Sequence, residues 1–203
     1  MKNQLLLATL LLSLNAQAGL YTESFTVTGG TIADGNPVGT TFAGVVSDIP
    51  AGYTIGSLTV GLNLSGGYNG DLYAYLVAPD QTMVMLLNQP GTAPFYAPGS
   101  GLNVTLDASA GTGIQTAAET AGVQFTGTYS AAGNLADFNG LIANGTWTLY
   151  FADLSSGGGT STLNSWSLGI TAVPEPANVA LGVFAGLFAV AGLAKIVRRR
   201  KME

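Results

Sequence analysis

From Leu58 to Leu64 apolar and polar residues alternate, with Leu58, Val60, Leu62 and Leu64 set between Thr59, Gly61 and Asn63. A period of two turns one set toward a buried face and the other away from it, so this stretch predicts a β-strand. The alternation returns in Trp147, Leu149 and Phe151, set against Thr146, Thr148 and Tyr150, and again in Trp166, Leu168 and Ile170. Shorter runs over Ser24–Thr28, Thr41–Val46, Asp71–Val77, Thr82–Leu87, Leu102–Leu106 and Val123–Thr126 predict further strands. They are separated by turn-forming clusters such as Ala33–Pro37, Gly66–Gly70, Phe138–Gly140 and Gly157–Gly159. About nine short strands without an amphipathic helix predict an all-β fold, an antiparallel, jelly-roll-like β-sandwich. Asn88 to Gly101, rich in proline and glycine, is expected to be an exposed loop, with Phe95 and Tyr96 folding back onto the sandwich.

The two ends of the chain carry a different pattern. Lys2 precedes an apolar run, Leu5 to Leu14, and Ala16-Gln17-Ala18 is a small-x-small site, which together predict a signal peptide over residues 1–18, removed before Gly19. Ala177 to Ala194 is almost wholly apolar, and at ~1.5 Å per residue a helix of this length reaches about 27 Å, close to a bilayer's hydrocarbon thickness. The basic cluster Arg198, Arg199, Arg200 and Lys201 follows directly and is expected to stay cytoplasmic, which puts the chain before Pro174 outside. Pro174 and Pro176 fix their own φ and restrain the residue before them, so no helix extends back through Val173-Pro174-Glu175-Pro176, which is expected to be extended and exposed.

A Pro-Glu-Pro motif, a single span and a basic cluster in this order resemble a PEP-CTERM sorting signal. The resemblance covers Val173 to Lys201 and implies an exosortase as partner, in a bacterium that makes exopolysaccharide. The expected organisation is thus a signal peptide (1–18), a β-sandwich (19–172) and a sorting tail (173–203). The expected location is outside the cytoplasm: the chain is held in the inner membrane on its way to the cell surface or extracellular matrix, with its C-terminus cytoplasmic before processing.

Charge narrows the chemistry. All six Lys and Arg lie at Lys2, Lys195 and Arg198–Lys201, and the chain has no His and no Cys. The expected domain therefore carries acids alone: Glu23, Asp34, Asp48, Asp71, Asp80, Asp107, Glu119, Asp137 and Asp153. It can form no salt bridge between its own side chains, so a buried carboxylate must accept backbone or hydroxyl hydrogen bonds or hold a metal. It repels phosphate backbones, which excludes nucleic acid as a partner. Without His, Cys or Lys it cannot assemble a Ser-His-Asp, Cys-His or Ser-Lys centre or the common zinc sites, and the absence of Cys leaves the core to hold the fold without disulfides.

The middle of the chain resembles the P-domain (P/Homo B) that accompanies subtilisin-like proprotein convertases. The matching residues are Gly70-Asp71-Leu72, Phe138-Asn139-Gly140, Gly145-Thr146-Trp147 with Leu149, Asp153, and Leu163-x-x-Trp166-x-Leu168-x-Ile170. The resemblance runs from about Ser47 to Thr171 and implies a β jelly roll that modulates a protease. Ser65-Gly66-Gly67-Tyr68 stands where family members often carry a histidine, and no protease domain is recognisable in the chain.

Oxygen-rich sites without cations suit Ca²⁺, and Asp71, Asp107 and Asp153, at strand ends, are the expected ligands. The competing expectation is that each carboxylate accepts the N–H groups of its own turn. The chain is read as a non-enzymatic interaction module associated with exopolysaccharide, its Tyr68, Tyr73 and Tyr75 available to sugar. Two other readings stay open. One is a modulator of a separate subtilisin-like protease in trans; the other is a glycoside hydrolase working through two carboxylates.

Overall fold

The computed structural model describes residues 18–26, 30–91, 96–175 and 184. Ten strands follow one another: β1 (Gly19–Thr26), β2 (Thr31–Ile32), β3 (Thr40–Val46), β4 (Tyr53–Gly66), β5 (Leu72–Val77), β6 (Met83–Asn88), β7 (Leu102–Asp107), β8 (Phe125–Tyr129), β9 (Gly145–Asp153) and β10 (Ser161–Pro174). Two single 3₁₀ turns, Asn69–Asp71 and Leu135–Phe138, interrupt them. One sheet has the order β1-β10-β4-β7-β8, with β2 also pairing β10; the other has the order β3-β9-β5-β6.

The alternating stretches supply the core between the sheets. Leu62 and Leu64 of β4, Trp147 and Phe151 of β9, and Trp166 and Leu168 of β10 are all essentially inaccessible to solvent. Trp147 donates its indole N–H to the Ala143 carbonyl at 2.8 Å, whereas the Trp166 Nε1 is buried without a partner. The longest ladder joins β10 to β4 from Ser161 opposite Gly66 to Pro174 opposite Tyr53.

Several expectations need correction. The sandwich is not antiparallel throughout, because β8 runs parallel to β7, an arrangement that requires the crossover made by residues 108–124. The first strand begins at Gly19 and not at Ser24, since pairing with β10 recruits five residues whose own pattern is weak. The described part of the Asn88–Gly101 stretch is not an exposed loop: Ala97 is buried, and the carbonyls of Ala97 and Gly99 take the N–H groups of Gly70 and Asn69. Val173 and Pro174 close β10, opposite Thr54 and Tyr53, and Glu175 donates its N–H to the Gly52 carbonyl at 2.9 Å. The first two residues of the expected tail therefore continue the sheet, half-buried rather than fully exposed.

Ala18 is exposed. Ala16 and the rest of the expected signal peptide, Pro176, Arg198, Arg199, Arg200 and Lys201 lie outside the described residues, as does the expected span apart from Phe184. Among the described residues no helix is long and apolar enough to cross a membrane.

Candidate functional site

The chain leaves β4 through Gly66, Gly67 and Tyr68 and makes one tight turn, Asn69-Gly70-Asp71, before entering β5. All three turn residues are buried. On one side the fully buried Asn69 donates through Nδ2 to Glu119 Oε2 at 2.7 Å and to the Gly101 carbonyl at 3.0 Å, while the Gly99 N–H donates to the same Glu119 oxygen at 3.0 Å. This latch holds the 96–101 segment against the turn. A Cβ at Gly99 would fall on Glu119 Oε2 and Asn69 Nδ2, so the contact depends on glycine there. Burial raises the Glu119 carboxyl above its ordinary value, against the hydrogen bonds from Asn69 and Gly99.

On the other side Asp71 meets the end of β9. Leu72 lies opposite Asp153, and the Leu154 N–H donates to the Asp71 carbonyl at 2.8 Å. Asp153 is fully buried; its Oδ1 accepts from the N–H groups of Gly35 and Ser155, both at 3.2 Å, and its Oδ2 has no partner. Asp34 completes the group from the β2–β3 connection, accepting from Gly157 and Gly159 at 3.1 Å. Burial raises both the Asp71 and the Asp153 carboxyl. The Asp153 and Asp34 charges raise Asp71 further, and the Ser155 hydroxyl draws it partly back.

Of the three expected ligands the fold brings together Asp71 and Asp153 but not Asp107. Asp107 ends β7 away from Gly101 and accepts from the Ser109 N–H and hydroxyl, each at 2.8 Å, which is the turn-capping role. Asp34 and Glu119 were not singled out in the sequence. Asp34-Gly35 announces only a turn, and nothing local shows that its carboxylate meets a glycine 123 positions later. Among the described residues no three carboxylates converge tightly enough to coordinate an ion by themselves.

The four-stranded sheet presents a second feature on its outward face. Tyr150, Tyr75 and Met85 lie there in one row across β9, β5 and β6, with Val45 opposite Thr146 and Met83 opposite Val77 further along the same face, and no strand contributes a charged residue to it. Val45 and Met83 are 61% and 60% exposed. The Tyr75 and Tyr150 rings stack at 4.4 Å with 14° between their planes, and Tyr73 meets both edge-on.

The motif residues in the Asn69–Asp71 turn, on β9 and on β10 thus converge in one sandwich, and a model of the proprotein convertase P-domain matches residues 55–170. The chain belongs to the proprotein convertase P-domain family. This P-domain is also similar to part of two solved structures. One is the complex of an Aeromonas sobria serine protease with its chaperone, at 18% identity over 78% of this chain and a TM-score of 0.48. The other is the Aeromonas sobria serine protease, at 19% identity over 76% of this chain and a TM-score of 0.49. Either match spans only 27% of the solved chain's length. No curated protein matches the P-domain described here.

Proposed function

We propose that this P-domain is an exported, non-catalytic binding module that acts on a protein partner through the outward face of its four-stranded sheet. The carrying observation is that face: uncharged, built from Tyr, Met, Val and Thr, and exposing Val45 and Met83 to solvent. Depletion of charge and enrichment in aromatic residues and Met mark the centre of protein interfaces. The family membership favours a separate subtilisin-like protease, working in trans, as that partner.

Exopolysaccharide is the weaker reading for the same face. Sugar rings stack on open aromatic faces, and Tyr75 and Tyr150 turn one face each toward the other. Glycoside hydrolysis fits less well still. It needs two carboxylates flanking one bond, and two clefts among the described residues, one lined by Leu58, Asp107 and Asn139 and the other by Ile49, Tyr53 and Glu175, each offer a single carboxylate.

The proposed route outward keeps the signal peptide at residues 1–18, recognition of Val173-Pro174-Glu175-Pro176 by an exosortase, and membrane passage through residues 177–194. An intact mass corresponding to Gly19 through about Glu175 in protein from the producing cells supports this route. A mass still carrying Arg198–Lys201 means a plain membrane anchor.

The binding role is tested by immunoprecipitating the protein from those cells. A serine protease activity should co-purify and should be lost when Val45 and Met83 are both changed to Lys. Retention of the protease by the doubly substituted protein, or no protease at all, overturns the proposal.

A further inference from the structure

The buried acids at the Asn69–Asp71 turn have no cationic side chain among the described residues to pair with. Asp153 is inaccessible to solvent, and one of its two oxygens, Oδ2, has no hydrogen-bond donor. Asp71, 7% exposed, stands beside it under the repulsion of Asp153 and Asp34. The chain has no His, and its Lys and Arg lie only at Lys2, Lys195 and Arg198–Lys201, beyond the sandwich at either end. A second, independent observation comes from the facing loop. Gly157-Gly158-Gly159 passes over Asp71 so closely that a Cβ at Gly158 would fall on Asp71 Oδ2 and on the Tyr68 Cβ. Only glycine lets the loop backbone close over that oxygen, and a side chain at position 158 would push the Asp71 carboxylate aside.

We propose that Asp71 and Asp153, with Asp34 at their rim, bind one Ca²⁺ at the pole of the sandwich opposite Gly19 and Pro174. Two carboxylates, backbone carbonyls and water give the all-oxygen, irregular shell that Ca²⁺ accepts at six to eight ligands. The cation would take up the orphaned Asp153 oxygen and neutralise Asp71. Zn²⁺ is disfavoured because no His or Cys is present. Mg²⁺ is disfavoured because it demands near-ideal octahedral geometry and keeps its waters. Extracellular modules of this kind bind with dissociation constants on the order of 10⁻⁴–10⁻³ M, and that is the range expected.

The place of the site follows from the ladder. The turn comes just after Gly66, opposite the start of β10, whereas Val173 and Pro174 finish β10 about 45 Å away at ~3.3 Å per residue. Any ion there lies far from Pro174, so its test is independent of the sorting route.

The experiment uses the full protein stripped with a chelator and titrated with CaCl₂, with MgCl₂ as control, while the melting temperature and the heat of binding are recorded. The expected result is one Ca²⁺ per chain, an upward shift in melting temperature at millimolar Ca²⁺, and a much smaller response to Mg²⁺. Asp71→Asn and Gly158→Ala should each weaken binding at least tenfold, and Asp107→Asn should leave it unchanged. Should Asp153→Asn fail to fold, Asp71→Asn and Gly158→Ala carry the test alone. Tb³⁺ supplies a spectroscopic readout: its emission, sensitised by the adjacent Tyr68, should be displaced by Ca²⁺ and reduced in Tyr68→Phe. Absence of a thermal shift, or Ca²⁺ binding that survives both Asp71→Asn and Gly158→Ala, overturns the proposal.

Discussion

Gly19 lies opposite Ala172 across the β1–β10 ladder, so the residue after the expected signal cleavage site and the residues entering the proposed sorting motif meet at one end of the sandwich. At that end Pro174 pairs with Tyr53, and Glu175 is held by the Gly52 carbonyl. An enzyme that grips Pro174-Glu175 must first unpair this corner. Tyr53→Gly weakens the corner by up to ~1 kcal/mol of strand preference, and tail removal in cells should become severalfold faster. Pulse-chase with intact-mass readout checks this; an unchanged rate means that the motif is read without unpairing.

The two tryptophans should respond differently to loss of the indole N–H. Trp147→Phe opens a gap and also strips the Ala143 carbonyl of its donor. Trp166→Phe opens a similar gap but removes a buried donor that has no partner. An unmade buried hydrogen bond costs about 1–3 kcal/mol, so Trp147→Phe should be the more destabilising by at least ~1 kcal/mol in denaturant titration. Equal costs would contradict the hydrogen-bond assignment.

Phe25 joins the two sheets. Its ring lies 4.3 Å from Trp166 of β10, and a Cβ placed on Gly44 of β3 would strike the same ring at 2.7 Å. Phe25→Ala is expected to lose about 3–5 kcal/mol, toward the low end because the ring is only partly buried. Gly44→Val should be destabilising through overpacking, by ~1–3 kcal/mol. If the ring is the obstacle, Gly44→Val combined with Phe25→Ala costs less than the sum of the two, which thermal or urea unfolding would show.

Acidity should stabilise the metal-free protein. Asp71, Asp153 and Glu119 each hold a proton more readily than an exposed carboxylate, chiefly through burial. The unfolded chain releases these protons near pH 4. Because the folded values are raised, this contribution is fully present below that pH and is lost as pH rises through the folded values. The melting temperature without metal should therefore be higher near pH 4 than near pH 7, and Asp71→Asn should flatten the slope. A melting temperature that climbs over that interval in chelator would refute this account.

Periodicity is a local property, and it made most of the sandwich legible. Leu58 to Leu64, Trp147 to Phe151 and Trp166 to Ile170 bury the side chains that their spacing indicates, because alternate residues on a strand face opposite ways whatever the strand pairs with. The lack of any Lys, Arg or His between Gly19 and Val173 was equally legible, and with it the rule that buried acids here must find N–H groups, hydroxyls or an ion.

What the sequence by itself determined, then, is the all-β architecture, the composition of the core and the excluded chemistries. Only the tertiary structure decided that β8 runs parallel to β7, that Val173 and Pro174 belong to the sheet, and that Asp34 joins Asp71 and Asp153 while Asp107 does not. Those outcomes depend on which strands become neighbours. Pairing partners are chosen by long-range packing and register, and no residue's own neighbours in the chain encode them.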